Sequence, residues 1–493
     1  NWDEAVDMLP DANVALFSIP GEYAAPDLEE ALDRGLHVFS FTDNVSLEDE
    51  IRLKKKAHEK GLLFMGPDCG TGIISSIPVA FTNVVKPGNI GIVGASGTGI
   101  QEVTTIIDRL GGGVIHAIGT GGRDLNEKVG AITVKDAIAA LDKHDPTDII
   151  VVISKPPAKE VRDEVVQLLQ NVSKPVVAIF LGEKPDHHEG NVCLAHSLEE
   201  TAQIAGDLGN GREVKKNYCT PAVSPIDHVL SSEKTVKGLY SGGTLAAEAG
   251  MMISEALDLG GLIKEEGYIL KTNGYEVIDL GDDIYTQGKP HPMIDPEVRI
   301  RKIREYAADK DTGVILLDCV LGYGCHPDMA GCLAPVIRES MDKANAEGRE
   351  LYFVASVCGT DKDPQDYRQS VETLKASGAF VEESNAKAIR LALKLKGLDC
   401  VEEDKAVVPY TGPKFEVPEV SEQILDLLNT KPRIINIGVE SFNESIVKYN
   451  GKSVQFSWKP AAGGNKEMIR IIHELNKIKE IDEYNDQVVQ RLK

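Results

Sequence analysis

Short apolar runs alternate with longer stretches of mixed polarity along most of the chain. Residues 14–19, 90–93, 149–154 and 176–181 are almost continuously apolar, and polar or glycine-containing segments bound each of these runs. Apolar runs of this length predict strands buried on both faces of a parallel sheet, and the stretches between them predict covering helices. We therefore expect an α/β protein with several doubly wound domains, of Rossmann or flavodoxin type, in tandem.

This pattern divides the chain into four folded units and two linkers. Residues 209–232 and 401–432 predict linkers, because they combine proline with glycine or with acidic residues. The folded units are expected to be a partial Rossmann domain over 1–87, a flavodoxin-type domain over 88–208, a second such domain over 233–400 with an insertion at 262–311, and a small β/α module over 433–493. No Gly-x-Gly-x-x-Gly loop opens the first unit, so we expect the opening half of its sheet to be absent. The last module is expected to dock on a neighbour or a partner.

Two glycine-rich stretches at the ends of predicted strands share one arrangement. Each contains Gly-Thr-x-x-x-Glu, which ends at Glu102 in the first and at Glu248 in the second. The free N–H groups and the dipole of a following helix favour an anion at such a loop. The candidate anion-binding residues are Ser96, Gly97, Thr98 and Gly99 in the first stretch and Gly242, Gly243 and Thr244 in the second. We expect a pseudo-twofold pair of domains whose helices point at one shared anion; the alternative is a tight turn that closes each βα unit.

Further candidates lie where other predicted strands end. They are Gly121, Gly122, Arg123, Lys155, Gly322, Gly324 and His326. Arg123 and Lys155 could clamp an anion, or could be ordinary solvated charges. His326 could act in acid–base catalysis, or be a loop histidine bonded to backbone. Glu102 and Glu248 could orient a substrate donor or a catalytic group, or could simply complement the helix dipole.

Composition narrows the functional classes. The formal charge of −24 argues against a nucleic-acid-binding protein, and no apolar run is long enough to predict a membrane span. The first residues do not predict a signal peptide, and no Gly-x-x-x-x-Gly-Lys loop predicts an ATP site. Eight scattered cysteines without a Cys-x-x-Cys pair predict reduced thiols in a cytoplasmic protein. Cys319, Cys325, His326 and Cys332 lie close in sequence, but their spacing matches no zinc motif, and we expect no metal.

The glycine loops, together with Gly121-Gly122-Arg123-Asp124-Leu125, resemble the α subunit of succinyl-CoA synthetase. The segment with Gly322-Tyr323-Gly324 and Gly359-Thr360-Asp361 resembles the carboxyl-terminal part of its β subunit. Fused in this order, and with Gly288-Lys289-Pro290-His291-Pro292-Met293-Ile294-Asp295, they resemble the FdrA family of acyl-CoA-synthetase-like proteins. The resemblance makes the first domain similar to a coenzyme A-binding domain, and it covers nearly the whole chain.

The resemblance implies two chemistries. In the synthetases the two glycine-loop helices stabilise a phosphorylated histidine in a Gly-His-Ala-Gly loop. Here the corresponding stretch, residues 183–190, contains His187 and His188 but not that loop, and no ATP-grasp domain is present. FdrA-type proteins are associated with oxamate carbamoyltransferase, which cleaves oxalurate with phosphate in allantoin (purine) breakdown.

The favoured implication is therefore a subunit of such a carbamoyltransferase. Phosphate or carbamoyl phosphate would be its ligand, and other subunits would join it in an oligomer. The alternatives are a nucleoside diphosphate-forming acyl-CoA synthetase of the succinyl-CoA ligase type, which would bind coenzyme A, and a non-catalytic scaffold subunit.

Overall fold

A computed structural model describes residues 2–220, 222, 224, 226, 228–263, 265–400, 404–476 and 478–492. Its helices and strands follow in the order α1 (Trp2–Met8), β1 (Val14–Phe17), α2 (Gly21–Asp33), β2 (His37–Ser40), α3 (Leu47–Glu59), β3 (Phe64–Met65), β4 (Thr71–Ile74), β5 (Ile77–Ala80), β6 (Ile90–Gly94), α4 (Gly97–Arg109), β7 (Val114–Gly119), α5 (Ile132–Lys143), β8 (Ile149–Ser154), α6 (Lys159–Leu169), β9 (Val176–Phe180), β10 (His187–Glu189), β11 (Val192–Ala195), α7 (Leu198–Gly209), β12 (Thr235–Tyr240), α8 (Gly243–Ala256), β13 (Leu270–Thr272), β14 (Tyr275–Asp279), α9 (Asp283–Thr286), α10 (Glu297–Ala308), β15 (Thr312–Val320), α11 (Met329–Ala346), β16 (Tyr352–Cys358), α12 (Tyr367–Ala376), β17 (Phe380–Glu382), α13 (Asn385–Leu395), β18 (Ala406–Val408), α14 (Glu422–Asn429), β19 (Arg433–Ile437), α15 (Ser441–Lys448), β20 (Lys452–Phe456), α16 (Lys466–Asn476) and α17 (Lys479–Leu492). The strands form three sheets rich in parallel pairs, and the predicted α/β class is confirmed.

The first sheet combines strands from residues 14–65 with strands from residues 433–456. Its order is β20-β19-β1-β2-β3, and all four neighbouring pairs are parallel. If β19 is taken as the opening strand, this order is the 2-1-4-5-6 part of a Rossmann sheet. The prediction that the opening half is absent is therefore wrong: β19, α15 and β20 supply it from the predicted C-terminal module. A local strand pattern cannot show that Val14 pairs with Ile434.

The second and third sheets share one topology. The second has the order β18-β10-β11-β9-β8-β6-β7-β4-β5, and the third has the order β13-β14-β12-β15-β16-β17. In both, the consecutive parallel strands take the flavodoxin-like order 2-1-3-4-5. In both, the helix after the first strand, α4 or α8, starts at a glycine-rich loop. The two domains are thus the expected pseudo-twofold pair.

Several domain, insertion and linker boundaries in the structure differ from the predicted ones. Strands β4 and β5, which were assigned to the first domain, form an edge of the second sheet. Strands β13 and β14 fall within the predicted insertion 262–311, yet they extend the third sheet beside β12. The predicted linker 401–432 contains β18, which pairs with β10, and α14, which packs near α5. Pro221 and Pro225 of the other predicted linker, and residues 401–403, lie outside the described residues.

Within the described residues, no helix combines the length and the apolar character that a membrane span requires.

Candidate functional site

A cavity of about 820 Å³ opens where the three sheets meet. Loops at the carboxyl ends of strands line it, among them Ser18 and Thr42 from the first sheet, Ser96 and Gly121 from the second, and Thr244 and Asp279 from the third. Ligands of open α/β sheets bind at these strand ends, where the topology switches direction. The cavity therefore joins the ligand positions of all three domains in one space.

The N-termini of α4 and α8 face each other at the cavity wall. Oγ of Ser96 lies 2.5 Å from Oγ1 of Thr244, and the Thr244 N–H donates to Oγ1 of Thr98 at 3.3 Å. Ser96 also caps α4 by accepting from the Gly99 N–H. In the described part of the chain, the N–H groups of Gly97 and Gly243 have no acceptor. These two helix ends can therefore offer unused donors and the positive ends of two dipoles to one anion.

A buried ion pair holds the loop before α8 in place. The Asp318 carboxylate, at the end of β15, accepts from the Ser241 and Gly242 N–H groups at 2.8–3.1 Å. The Arg299 guanidinium donates to the same carboxylate at 2.9 Å, and both side chains are almost fully buried. The charge of Asp318 is thus balanced behind the cavity wall, while its oxygens fix the course of the loop.

Both predicted cations reach the cavity. Lys155 and Arg123 both line it, on the side of the second sheet. Nε of Arg123 pairs with Glu50 at 2.8 Å and one Nη donates to the Val45 carbonyl, so its guanidinium is partly committed to α3. The Lys155 side chain is exposed to the cavity, and its charge acts on both Asp68 and Asp279. Lys155 is the cation better placed to meet a bound anion.

Two carboxyl groups in the cavity titrate abnormally. Asp68 is accessible from the cavity, yet protein surrounds it, and this desolvation raises the pKa of its carboxyl to about 6. Desolvation also raises the pKa of Asp279 to about 7, although Lys155 acts in the opposite direction on both groups. Carboxyls with such pKa values can exchange protons near neutral pH.

His291 lies beside Asp279 in the same wall. Its Nδ1 accepts a hydrogen bond from the Met293 N–H at 3.2 Å, and its ring is 6.5 Å from that of Phe81. Burial lowers the pKa of His291 to about 4, so the ring is neutral at physiological pH. A neutral ring whose Nδ1 accepts must carry its proton on Nε2.

Glu102 and Glu248 lie away from the cavity lining and bond to helix ends of the opposite domain. Glu102 accepts from the Asn385 N–H at the start of α13, and Glu248 accepts from the Leu198 N–H at the start of α7. Asn385 also donates its amide to Glu248. Burial raises the pKa of both carboxyls, to about 7 for Glu248. The geometry favours a structural role for Glu102 and Glu248 over a catalytic one. Each caps the start of a helix across the domain interface.

Several other predicted residues also lie outside the cavity lining. His326 donates its backbone N–H to the Met293 carbonyl, and its Nδ1 accepts from the Asp328 N–H. Gly322 and Gly324 pack against Thr82 and Phe81, where a Cβ would clash. Gly99 and Gly242 use their N–H groups within the protein. The predicted residues that do line the cavity are Ser96, Gly97, Thr98, Gly121, Gly122, Arg123, Lys155, Gly243 and Thr244.

The remaining histidines and cysteines of interest are apart from the cavity. His187 and His188 lie on β10 of the second sheet, rather than in the predicted loop; His188 accepts from the Leu194 N–H. All eight cysteines are free thiols. Among the described residues, no group of three or more histidine, cysteine or acidic side chains is arranged to hold a metal ion.

Sequence reasoning missed Asp68, Asp279 and His291. The signal for Asp279 was present, since an apolar pair, Val277-Ile278, precedes it and Gly281 follows it. The sequence pattern places this stretch in an insertion, so it does not predict that Asp279 ends a strand of the sheet. His291 stood in one of the most specific family motifs but was given no role.

The chain matches two family models. The model described as CoA-ligase matches residues 239–395, and the model described as CoA binding domain matches residues 85–182. The second match starts at residue 85, so it falls on the second domain and not on the region 1–87 that was expected to be similar to a coenzyme A-binding domain.

Several known proteins are similar in sequence. The uncharacterized protein YahF of Escherichia coli (strain K12) is 42% identical over 396 residues, which cover 78% of this chain and 77% of that protein. The succinate–CoA ligase [ADP-forming] subunit alpha 2 of Archaeoglobus fulgidus is 27% identical over 211 residues, 40% of this chain and 71% of that subunit. Among solved structures, the dinucleotide-forming acetyl-coenzyme A synthetase 1 of Ca. Korarchaeum cryptofilum, in complex with phosphate and ADP, is 14% identical. The likeness covers 80% of this chain and 84% of that one, with a TM-score of 0.33.

Proposed function

The chain belongs to the same family as YahF and carries CoA-ligase-like and CoA-binding-like domains, and on this premise we propose that it transfers an acyl group between phosphate and coenzyme A. Phosphate, or the phosphate end of an acyl phosphate, would bind between the N-termini of α4 and α8. The observation that carries the proposal is the opposition of these two helix ends, with unused N–H groups on Gly97 and Gly243.

The cavity chemistry supports an anionic acyl substrate. Lys155 offers a positive charge beside the helix ends, and Asp68 and Asp279 can be protonated near neutral pH. A phosphate held by backbone donors, dipoles and one lysine needs no strongly positive surface, which agrees with the net charge of −24. The relatives supply the substrate class: the alpha subunits that match act as succinate–CoA and malate–CoA ligases.

A second candidate is carbamoyl transfer from oxalurate to phosphate, the activity associated with FdrA-type proteins. Carbamoyl phosphate is itself an acyl phosphate. The N-termini of α4 and α8, which we call the phosphate cradle, would therefore bind phosphate in this reaction too. The observation that favours this candidate is the location of His187 and His188 on β10, outside the cavity. A phosphohistidine relay could not use these two histidines, whereas direct attack of phosphate on a carbonyl needs no phosphorylated residue.

Arsenolysis separates the two candidates. Arsenate replaces phosphate, and the acyl arsenate that forms hydrolyses at once, so turnover is irreversible and easily measured. Arsenate-dependent release of thiol from succinyl-CoA or malyl-CoA supports the main proposal. Arsenate-dependent release of oxamate from oxalurate supports carbamoyl transfer. If neither occurs with the chain alone, the chain binds no phosphate, and one of them occurs after partner subunits are added, the chain has a scaffold role.

The cradle itself is tested by filling it. Valine at Gly97 or Gly243 places branched carbons over the free N–H groups, and a Cβ at 243 would already lie 2.3 Å from Oδ2 of Asp279. We expect at least a tenfold loss of phosphate affinity by isothermal titration, together with loss of turnover. Gly206→Ala, in α7, is the control, since a Cβ there meets its nearest atom, on Leu110, at 3.8 Å. Undiminished phosphate binding in both valine variants would refute the cradle.

A further inference from the structure

Asp279 and His291 converge on one point of the cavity wall, and Gly281 makes this convergence possible. The Gly281 N–H donates to Oδ1 of Asp279 at 2.9 Å. A Cβ on residue 281 would lie 2.5 Å from Nε2 of His291 and 3.1 Å from Oδ1 of Asp279. Only a residue without a side chain allows the imidazole and the carboxyl to approach each other here.

The other oxygen of Asp279 contacts the phosphate cradle. A Cβ on Gly243, the first residue of α8, would lie 2.3 Å from Oδ2. The carboxyl group thus spans the distance between the N-terminus of α8 and the loop that contains Gly281. A carboxylate that stays ionised at this place would repel the anion that the helix end attracts.

The tautomer of His291 gives it a defined chemical role. Because Nδ1 accepts from the Met293 N–H, Nε2 carries the proton of the neutral ring. Nε2 of His291 has no acceptor among the described residues, and His291 lines the cavity. His291 is therefore a fixed hydrogen-bond donor and is not available at Nε2 as a nucleophile.

From this geometry we propose that Asp279 carries the proton of the attacking phosphate to the departing atom of the acyl substrate, while the Nε2–H of His291 binds the carbonyl oxygen. The inference rests on the proposed function and names the residues that would perform its proton transfer.

The step balances for both candidate reactions. An oxygen of hydrogen phosphate forms a bond to the carbonyl carbon, and the carbonyl oxygen becomes an oxyanion that accepts from His291. The carbonyl bond then re-forms and the bond to sulfur, or to nitrogen in oxalurate, breaks. The phosphate proton passes to Asp279 and from there to the departing sulfur or nitrogen, so that Asp279 ends the reaction as it began.

The charges around Asp279 suit a group that accepts and returns a proton. Lys155, from the loop after β8, favours its ionised form; Asp282 on its own loop and Asp318 at the end of β15 favour its protonated form. His291, across Gly281, is neutral. Asp279 therefore titrates close to neutral pH, and a general base of this kind contributes about 10²–10⁴-fold to a rate.

The test uses arsenolysis of whichever substrate the wild-type chain, with its partners if required, turns over. Asp279→Asn and Asp279→Ala should each lower kcat by at least 100-fold while phosphate still binds, with its affinity equal or higher, because a repelling charge is removed. Formate, a small carboxylate, should restore turnover to Asp279→Ala in a concentration-dependent way. A merely structural role for Asp279 would give no such rescue.

His291 provides an independent variant. His291→Phe keeps an aromatic ring at this position but removes the donor, and should lower kcat with phosphate affinity unchanged. Asp342→Asn, on the exposed face of α11, is the matched control and should behave as wild type. Near-wild-type kcat in Asp279→Asn, or loss of kcat in Asp279→Ala that formate does not restore, would overturn the inference. Absence of phosphate binding and turnover in the wild type would instead defeat the proposed function.

Discussion

Asp68 and Asp279 set the cavity apart from a simple anion site. Their carboxyl groups lie beside an anion cradle, and desolvation raises their pKa values to about 6 and about 7. Above these values each adds a negative charge to the place where the two helix ends attract one. Anion affinity should therefore depend on pH even when the charge of the anion does not.

Sulfate tests this dependence, since it does not titrate between pH 5 and 8. The protonated carboxyls bind the anion better, so sulfate affinity should rise as pH falls through 7 and 6. A bound sulfate that raises one of these carboxyl pKa values by one unit corresponds to about 1.4 kcal/mol, so we expect a gain in affinity of roughly tenfold between pH 8 and 5.5. Isothermal titration at constant ionic strength measures it. Asp279→Asn should flatten the upper part of the curve, and a pH-independent affinity in the wild type would contradict the prediction.

At the scale of the elements, each residue type of the repeated Gly-Thr-x-x-x-Glu motif lies at or contacts the start of a helix. Its glycine and threonine bring α4 and α8 face to face, and its glutamate reaches across to the opposite domain, from Glu102 to α13 and from Glu248 to α7. Each domain therefore satisfies an orphan N–H group of the other. The motif holds the two halves of the cradle at a fixed separation.

Glu248→Ala should consequently destabilise the protein without touching the cavity. It leaves the Leu198 N–H unpaired and removes one of the two acceptors of the Asn385 amide, the other being the Leu245 carbonyl, which should lower the free energy of unfolding by about 2–4 kcal/mol. The pKa of Glu248 is raised from 4.5 to about 7, so its stabilising contribution is full below pH 4.5 and declines as pH rises through 7. The difference from wild type should thus be larger at pH 5 than at pH 8.

Denaturant unfolding at the two pH values measures this effect. Glu372→Ala, at an exposed residue of α12 that pairs with Lys375, is the control and should change the free energy by less than about 0.5 kcal/mol. Equal losses for the two variants would show that the cap contributes nothing.

The sequence predicted those features whose cause is local. The apolar runs and glycine loops indicated the pair of flavodoxin-type domains and the residues at the two helix starts, Ser96–Gly99 and Gly242–Thr244. It could not show that Glu102 and Glu248 point away from the cavity, because their partners start helices in the other domain. Asp279 was missed for a related reason: β14 is short, and only its pairing with β12 reveals that its end faces the cradle.

At the scale of the whole molecule, the first domain depends on strands from distant parts of the chain, residues 14–65 and 433–456. The β1 strand has β2 on one side and β19 on the other, and the cavity reaches the end of β1 at Ser18. The Ser18 hydroxyl also accepts from the Val439 N–H at 2.7 Å. The C-terminal strands therefore support the cavity wall that the first domain provides.

Ile435→Ala, in β19, should weaken the neighbouring strands of the first sheet as well as β19 itself. Ile435 is fully buried in β19, and its truncation should lower stability by about 2–5 kcal/mol. Hydrogen exchange should speed up in β1 and β2, while β8 and β9 of the second sheet keep their protection. Val447→Ala, half exposed on α15, is the control. Faster exchange confined to β19 and β20 would contradict a shared sheet.

The pairing of β1 with β19 also determines the order in which the protein can be completed as it is made. Asn13 and Arg433, which bond at the ends of these strands, are 420 residues apart. At about 5–20 residues per second, a ribosome adds β19 roughly 20–80 s after β1. Until then β1 has an open edge that can pair with another chain. We therefore expect chaperones to bind the nascent first domain, which closes late in biosynthesis.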